Sequence, residues 1–355
     1  MSISEDTIAV RVGEEFAFER VERYMRQRIP GLPAQPMQVR QFPSGASNLT
    51  YLLRIGDWEG VLRRPPLGPV APKAHDMKRE CGLLQQIHPV YDLAPRPYFF
   101  CDDLELMGAP FYVMERRRGV VVNTDFPEGV TPTEDLCRRL SLATVDALAR
   151  IHSIDWRAAG LDTFGYPEGF LARQVKGWIE RYFRAQTDEI PQVEPLVCWL
   201  SEHIPSSPAP TLIHNDFKLN NMLLNGHDLT RIEAVLDWEM STIGDPLFDL
   251  AVTLSYWVNS RDPEELQTVL PAVTGMPGFL DREQFMQRYA EKSGRDLSSM
   301  HFHMTFAYFK LAVIIAQIYV RWKRGQTRDE RFAVFGERVR SLMVYAASLA
   351  ERGHL

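Results

Sequence analysis

The run Leu212-Ile213-His214-Asn215-Asp216-Phe217-Lys218-Leu219-Asn220-Asn221 constrains this chain more than any other stretch, because Val235-Leu236-Asp237-Trp238-Glu239 follows it within twenty residues. In each segment an apolar, strand-like stretch hands over to a carboxylate. A carboxylate in a loop after an apolar strand can accept a hydroxyl proton or orient an attacking oxygen. The amide oxygen of Asn221, five residues on, and the carboxylate of Asp237 are hard oxygen ligands. Such ligands suit Mg²⁺, which binds through one or two protein groups plus substrate phosphates. On spacing alone, the first segment also fits a turn that His214 and Asp216 cap locally.

At 355 residues the chain is longer than one core usually organises, so two lobes are expected. Glu14–Ile29 has helical spacing and is stopped by Pro30-Gly31. Met37–Phe42, Thr50–Ile55 and Gly60–Arg64 read as strands, with a hairpin signal at Gly56-Asp57. A helix over His75–Ile87 and strands over Pro97–Cys101 and Pro110–Arg116 follow. Beyond about residue 130 the pattern turns mostly helical, starting with an amphipathic Thr133–Ile154. The expectation is an α+β chain with a small β-rich N-lobe (1–115) and a larger, mostly helical C-lobe (116–355).

Composition removes several functions. With 45% hydrophobic and 24% charged residues the chain is neither disordered nor fibrous, and a net charge of −6 advertises no nucleic-acid partner. The four cysteines form no C-x-x-C pair, so neither a disulfide framework nor a zinc knuckle is expected. The opening residues carry Glu5 and Asp6 without an apolar run, unlike a signal peptide. Phe306–Trp322 is apolar but short and contains Lys310, which reads as a buried helix with no membrane span. A cytoplasmic protein is the expectation, and nothing in the sequence fixes an oligomeric state.

His214-Asn215-Asp216 with Asn221 resembles the catalytic loop H-R-D-x-x-x-x-N of protein-kinase-like phosphotransferases, with Asn215 in place of the arginine. Asp237 falls at the metal aspartate of that superfamily, here in Asp-Trp-Glu and without the Phe-Gly of protein kinases. The small-molecule branch, with aminoglycoside phosphotransferases and choline kinases, is the better resemblance. Val235 through Asp245-Pro246-Leu247-Phe248-Asp249-Leu250-Ala251 is most similar to phosphotransferases related to the kinase-like domains fused to acyl-CoA dehydrogenases.

The resemblance implies a protein-kinase-like bilobal fold and a set of nucleotide-site residues. Ser44, Gly45, Ser47 and Asn48 occupy the place of the nucleotide-covering loop, and alone also fit a hairpin turn. In Val61-Leu62-Arg63-Arg64 the strand alternation favours Arg63 as the phosphate-contacting cation, with Arg64 pointing away. Glu80 matches the glutamate that pairs with that cation, and Met114, Glu115 and Arg116 match the linker that bonds adenine through its main chain. Lys218 matches the lysine two residues beyond the catalytic aspartate, and Asp249 is implied to be structural.

The chemistry implied is in-line transfer of the ATP γ-phosphoryl group to a hydroxyl of a small molecule. Asp216 and Lys218 would be catalytic, and Asn221 and Asp237 would hold Mg²⁺. Alternatives are a nucleotide-binding pseudokinase, an aminoglycoside kinase proper, and an enzyme of the same fold that transfers AMP. The helix over Phe302–Trp322 offers no carboxylate and many aromatics, which leans toward a partly apolar alcohol such as a hydroxyacyl thioester; core packing explains the same aromatics. His301 and His303 diverge on a helix and are not expected to bind metal.

Overall fold

The computed structural model describes residues 6–43, 48–68, 75–327 and 329–353. The chain divides into two compact units, residues 1–119 with 233–239, and residues 120–232 with 240–355.

The smaller unit is built on a five-stranded antiparallel sheet. Its strands are β1 (Gln38–Gln41), β2 (Leu49–Ile55), β3 (Trp58–Arg64), β4 (Pro97–Cys101) and β5 (Phe111–Glu115), in the order β1-β2-β3-β5-β4. The hairpin between β2 and β3 pairs Ile55 with Trp58, and its turn places Gly56 at φ +56°. That left-handed backbone is what a glycine tolerates without strain.

Alternation along β3 decides where its side chains go. Leu62 joins the apolar cluster of Tyr51, Leu53, Ile55, Val21 and Met25, so Val61 and Arg63 belong to the opposite face. Val21 and Met25 come from helix α1 (Phe18–Arg26), which is shorter than the sequence pattern suggests. Its expected first turn is drawn to the sheet, because the Glu14 carbonyl accepts the Tyr51 hydroxyl at 2.7 Å and the Glu14 carboxylate accepts the Gln41 amide. Helix α2 (Met77–Ile87) starts where Asp76 accepts the Arg79 amide at 2.9 Å, and it buries Met77, Glu80, Cys81, Leu84 and Ile87 on one side. A single turn, α3 (Leu104–Met107), follows β4.

The larger unit is mostly helical, with α4 (Glu134–His152), α5 (Phe170–Ala185), α6 (Val193–Glu202), α7 (Pro246–Ser255), α8 (Glu264–Val269), α9 (Arg282–Ser293), α10 (Met300–Lys323) and α11 (Phe335–Arg352). Polar caps set the starts of several: Thr133 for α4, Asp245 ahead of Pro246 for α7, and an Asp281/Gln284 capping box for α9. Helix α10 is long and apolar enough to cross a membrane, and here it is largely buried among α5, α7 and α11.

Two short strands frame the loop of interest. β6 (Thr211–Ile213) pairs antiparallel with the later strand Thr242–Gly244, setting Leu212 opposite Ile243. Gly244 is required there, since a Cβ would lie 2.7 Å from the Ile213 side chain and 2.9 Å from Phe170. β7 (Met222–Leu224) follows the loop, β8 (Ile232–Val235) leads to Asp237, and Thr242–Gly244 is β9.

Candidate active site

In the larger unit, β6 ends at Ile213, His214 after it is fully buried, and the chain turns through Asn215 at φ +65°. Asp249 of α7 fixes that turn by accepting the backbone N–H of His214 and of Asn215, each at 2.7 Å. The same carboxylate lies 3.0 Å from His152 Nε2, whose Nδ1 is 2.6 Å from the Tyr289 hydroxyl. Burial works against the Asp249 charge, yet His152 and the His214 amide hold its carboxyl below the usual range. Asp249 therefore ties its helix to the loop, as the resemblance implied.

Asp216 then presents a carboxylate held from both sides. Lys218 Nζ donates to Oδ1 at 2.8 Å, and Asn221 Nδ2 donates to Oδ2 at 2.9 Å and to the Asp216 carbonyl at 2.8 Å. Asp216 and Lys218 each keep 24% of their side chain exposed, so the pair is oriented without being sealed. Because Asn221 spends its nitrogen on Asp216, its amide oxygen remains as a hard donor. Lys218 also lies 4.8 Å over the Tyr256 ring, and burial together with the Asp216 charge pushes that phenol up.

Lys310 is a neighbour whose contact sequence reasoning missed. It is 5% exposed on α10, donates to the Asn215 carbonyl at 3.4 Å, and lies 5.7 Å from the Trp178 ring and 5.4 Å from Phe248. Burial pulls its pKa down to about 8 against the opposing charges of Asp216 and Asp249. A lone lysine in an apolar helix was the available signal.

In the smaller unit, Arg63 donates to Glu80 Oε1 at 2.7 Å and to Asp237 Oδ1 at 3.0 Å. Burial opposes the Arg63 charge, but Glu80, Tyr112 and Asp237 hold its pKa above the ordinary arginine value. Burial pushes Glu80 up to about 7, with Arg63 pulling the other way. Arg64 makes neither contact and alternates onto the other face of β3, where burial lowers its pKa and Tyr51 opposes that shift.

Asn48 donates to Glu239 Oε2 at 2.9 Å, and its own oxygen is 2.9 Å from His75 Nδ1. Ser44, Gly45 and Ser47 lie outside the described residues. On the linker, Met114 pairs with Val61, while the Glu115 amide already donates to the Arg96 carbonyl at 2.8 Å. Arg116 pairs with Asp6, Arg117 with Glu115 at 2.7 Å and Arg118 with Glu59 at 2.9 Å, so this basic run is neutralised. Among the described residues, the non-glycine positions with positive φ are His75, Asn215 and Asp237, all at or beside these two groups. Strained backbone of that kind concentrates where function over-determines the geometry.

Beyond the Asp216 loop, other expectations shift. The aromatics of α10, including Phe302, Phe306, Tyr308 and Phe309, are core residues. A cleft of about 190 Å³ beside the Asp216 loop is lined instead by Lys218, Thr253, Tyr256, Trp257 and Leu270, with Pro271, Ala272 and Thr274. His301 bonds the Leu349 carbonyl and His303 the Ser299 carbonyl, both structural. Among the described residues no cluster of three or more His, Cys, Asp and Glu side chains is placed to hold a metal.

The model of the phosphotransferase enzyme family matches residues 38–282. The chain belongs to that family. It is 33% identical over 360 residues to acyl-CoA dehydrogenase family member 11 of Rattus norvegicus, covering 99% of this chain and 45% of that protein. The chain thus spans less than half the length of that relative. A Ralstonia eutropha structure bearing the provisional name aminoglycoside phosphotransferase superposes with a TM-score of 0.81 at 27% identity, covering 95% of this chain and 99% of the other. A thermostable mutant of aminoglycoside phosphotransferase APH(4)-Ia, crystallised with AMP-PNP and hygromycin B, shares the fold alone, with a TM-score of 0.55 at 15% identity and 94% and 97% of the two chains covered. The α+β fold of this phosphotransferase is kinase-like, as the catalytic-loop motif implied.

Proposed function

We propose that this phosphotransferase moves the γ-phosphoryl group of ATP, with Mg²⁺, to a hydroxyl of a small, partly apolar and non-cationic alcohol. The observation that carries the reading is the Asp216 carboxylate, locked at 2.8 Å to Lys218 and 2.9 Å to Asn221 on a loop that Asp249 pins through two backbone amides. A carboxylate so oriented can receive the acceptor's proton as its oxygen attacks phosphorus. Lys218 offsets negative charge on the transferring group, and Arg63, steadied by Glu80, is the cation assigned to the nucleotide phosphates.

The donor types suit the metal. Asn221 Oδ1 and the Asp237 oxygen not engaged by Arg63 are hard ligands, and Mg²⁺ takes few protein ligands when phosphates supply the rest. Held by such ligands, Mg²⁺ would neutralise phosphate charge.

The cleft beside the catalytic loop supports the acceptor class. Lys218 is the one charged residue among its described lining, and no carboxylate faces it. A polycation would find no counter-charge there, which disfavours an aminoglycoside acceptor. A hydroxyacyl thioester is the acceptor suggested by the likeness to acyl-CoA dehydrogenase family member 11.

The test is ADP release from Mg-ATP across hydroxyacyl-CoA thioesters, aminoglycosides, choline, homoserine and sugars, with Asp216→Asn as the blank. Turnover with a non-cationic alcohol that the substitution abolishes supports the reading. Pyrophosphate in place of ADP would move the chain to AMP transfer, and nucleotide binding without turnover would favour a pseudokinase.

A further inference from the structure

Four threonines sit within the α-helices of the larger unit, and one behaves differently. Thr144, Thr268 and Thr305 each donate to the carbonyl four residues back, at 2.8, 2.9 and 2.9 Å. That back-bond is the ordinary resting place of a helical threonine hydroxyl. Thr253, near the end of α7, is 1% exposed and its hydroxyl has no hydrogen-bond partner. A buried hydroxyl left unmade costs stability, and a valine of the same shape would avoid that cost.

Thr253 lines the cleft beside the catalytic loop, where Tyr256 stands one helical turn further on, on the same side of α7. Tyr256 keeps its proton, since burial and the Asp216 charge both raise its pKa. Lys218, bonded to Asp216, adds a cationic donor from the loop after β6. Each of these three residues can donate a hydrogen bond, Asn123, Asn220 and Thr274 add further polar groups, and the rest of the wall is apolar, with Trp257, Val269, Leu270 and Pro271 among it. A cleft of this kind holds an apolar chain and recognises an oxygen that accepts hydrogen bonds.

We propose that Thr253 and Tyr256 are the specificity-determining residues of the acceptor site, donating to a carbonyl or carboxylate oxygen carried on the same molecule as the reacting hydroxyl. This rests on the phosphotransferase reading above for the identity of the cleft as the acceptor site. The recognition is by difference: an alcohol of equal length without that oxygen fills the same space and leaves the Thr253 hydroxyl buried and unsatisfied.

The test measures binding and turnover separately. Wild type, Thr253→Val, Thr253→Ser and Tyr256→Phe are titrated calorimetrically with methyl ω-hydroxyhexanoate and with hexanol, and ADP release from Mg-ATP is followed with both. Wild type should bind the ester about tenfold more tightly than hexanol, the worth of one satisfied buried hydrogen bond. Thr253→Val should erase that preference while its melting temperature holds or rises, Tyr256→Phe should reduce it, and Thr253→Ser should keep it. Unchanged ester affinity in Thr253→Val overturns the inference, as does a wild type that binds neither probe. If the preference follows Thr253 but ADP never appears, the recognition site stands and the phosphotransferase reading falls. If ADP appears with the ester and its KM ignores Thr253, the reading stands and this inference falls.

Discussion

The Arg63 guanidinium donates to Glu80 Oε1 at 2.7 Å, with 10% and 1% of the two side chains exposed. Sharing that pair, Asp237 accepts from the other Arg63 nitrogen at 3.0 Å. Removing one partner of a buried pair strands the other charge, which costs more than the pair itself contributes. Arg63→Met should therefore destabilise the fold by about 3–5 kcal/mol, and Arg63→Met/Glu80→Leu should recover much of that loss. Urea denaturation of the single and double variants measures both.

Glu80 also gives the fold a pH dependence of unusual sign. Burial raises its pKa from 4.5 to about 7, so between those values the folded chain holds a proton that the unfolded chain has released. Its contribution to stability is complete below about pH 4.5 and falls as pH rises toward 7. Glu80→Gln should flatten that part of the stability profile, measured as urea midpoints from pH 5 to 7.

Lys310 predicts the opposite slope at alkaline pH. Burial lowers its pKa from 10.5 to about 8, so above pH 8 the folded chain binds fewer protons than the unfolded one and stability rises until about 10.5. Lys310→Met removes a buried charge held among Trp178, Phe248 and a 3.4 Å contact. It should be more stable than wild type at pH 7 by about 1–4 kcal/mol and should lose the alkaline rise. Thermal melts at pH 7 and 10 decide it.

Asp249 should act on turnover through the loop it pins. Asp249→Asn keeps the shape but gives up the charge that accepts from His214 and Asn215 at 2.7 Å and pairs with His152. Stability should fall by about 2–4 kcal/mol, and turnover should fall more than nucleotide affinity, since the loop carries Asp216. Melting curves and nucleotide titration separate the two effects.

Much of this was legible in the sequence for local reasons. The catalytic-loop spacing placed Asp216 and Asn221 within one turn of each other, and strand alternation separated Arg63 from Arg64. Gly56-Asp57 gave the hairpin because a tight turn needs a residue that accepts positive φ. What was not legible depends on packing between distant segments. Whether Thr253 back-bonds or faces a cleft depends on residues from the catalytic loop and the stretch after α8. The aromatics of α10 suit a core or a ligand wall equally by type, and only their burial against α5, α7 and α11 assigns them to the core. Helix α1 lost its first turn to contacts with Tyr51 and Gln41, which no helical pattern reveals.

The most direct test of the central claim is phosphorus NMR of the products formed from Mg-ATP and a hydroxyacyl thioester, with wild type and Asp216→Asn side by side. Wild type should yield ADP and a phosphomonoester in equal amounts, and Asp216→Asn should be slower by about a hundred- to ten-thousandfold with nucleotide affinity nearly intact. Phosphomonoester formed at equal rates by both proteins would contradict the role of Asp216. Pyrophosphate in place of ADP would contradict γ-phosphoryl transfer itself.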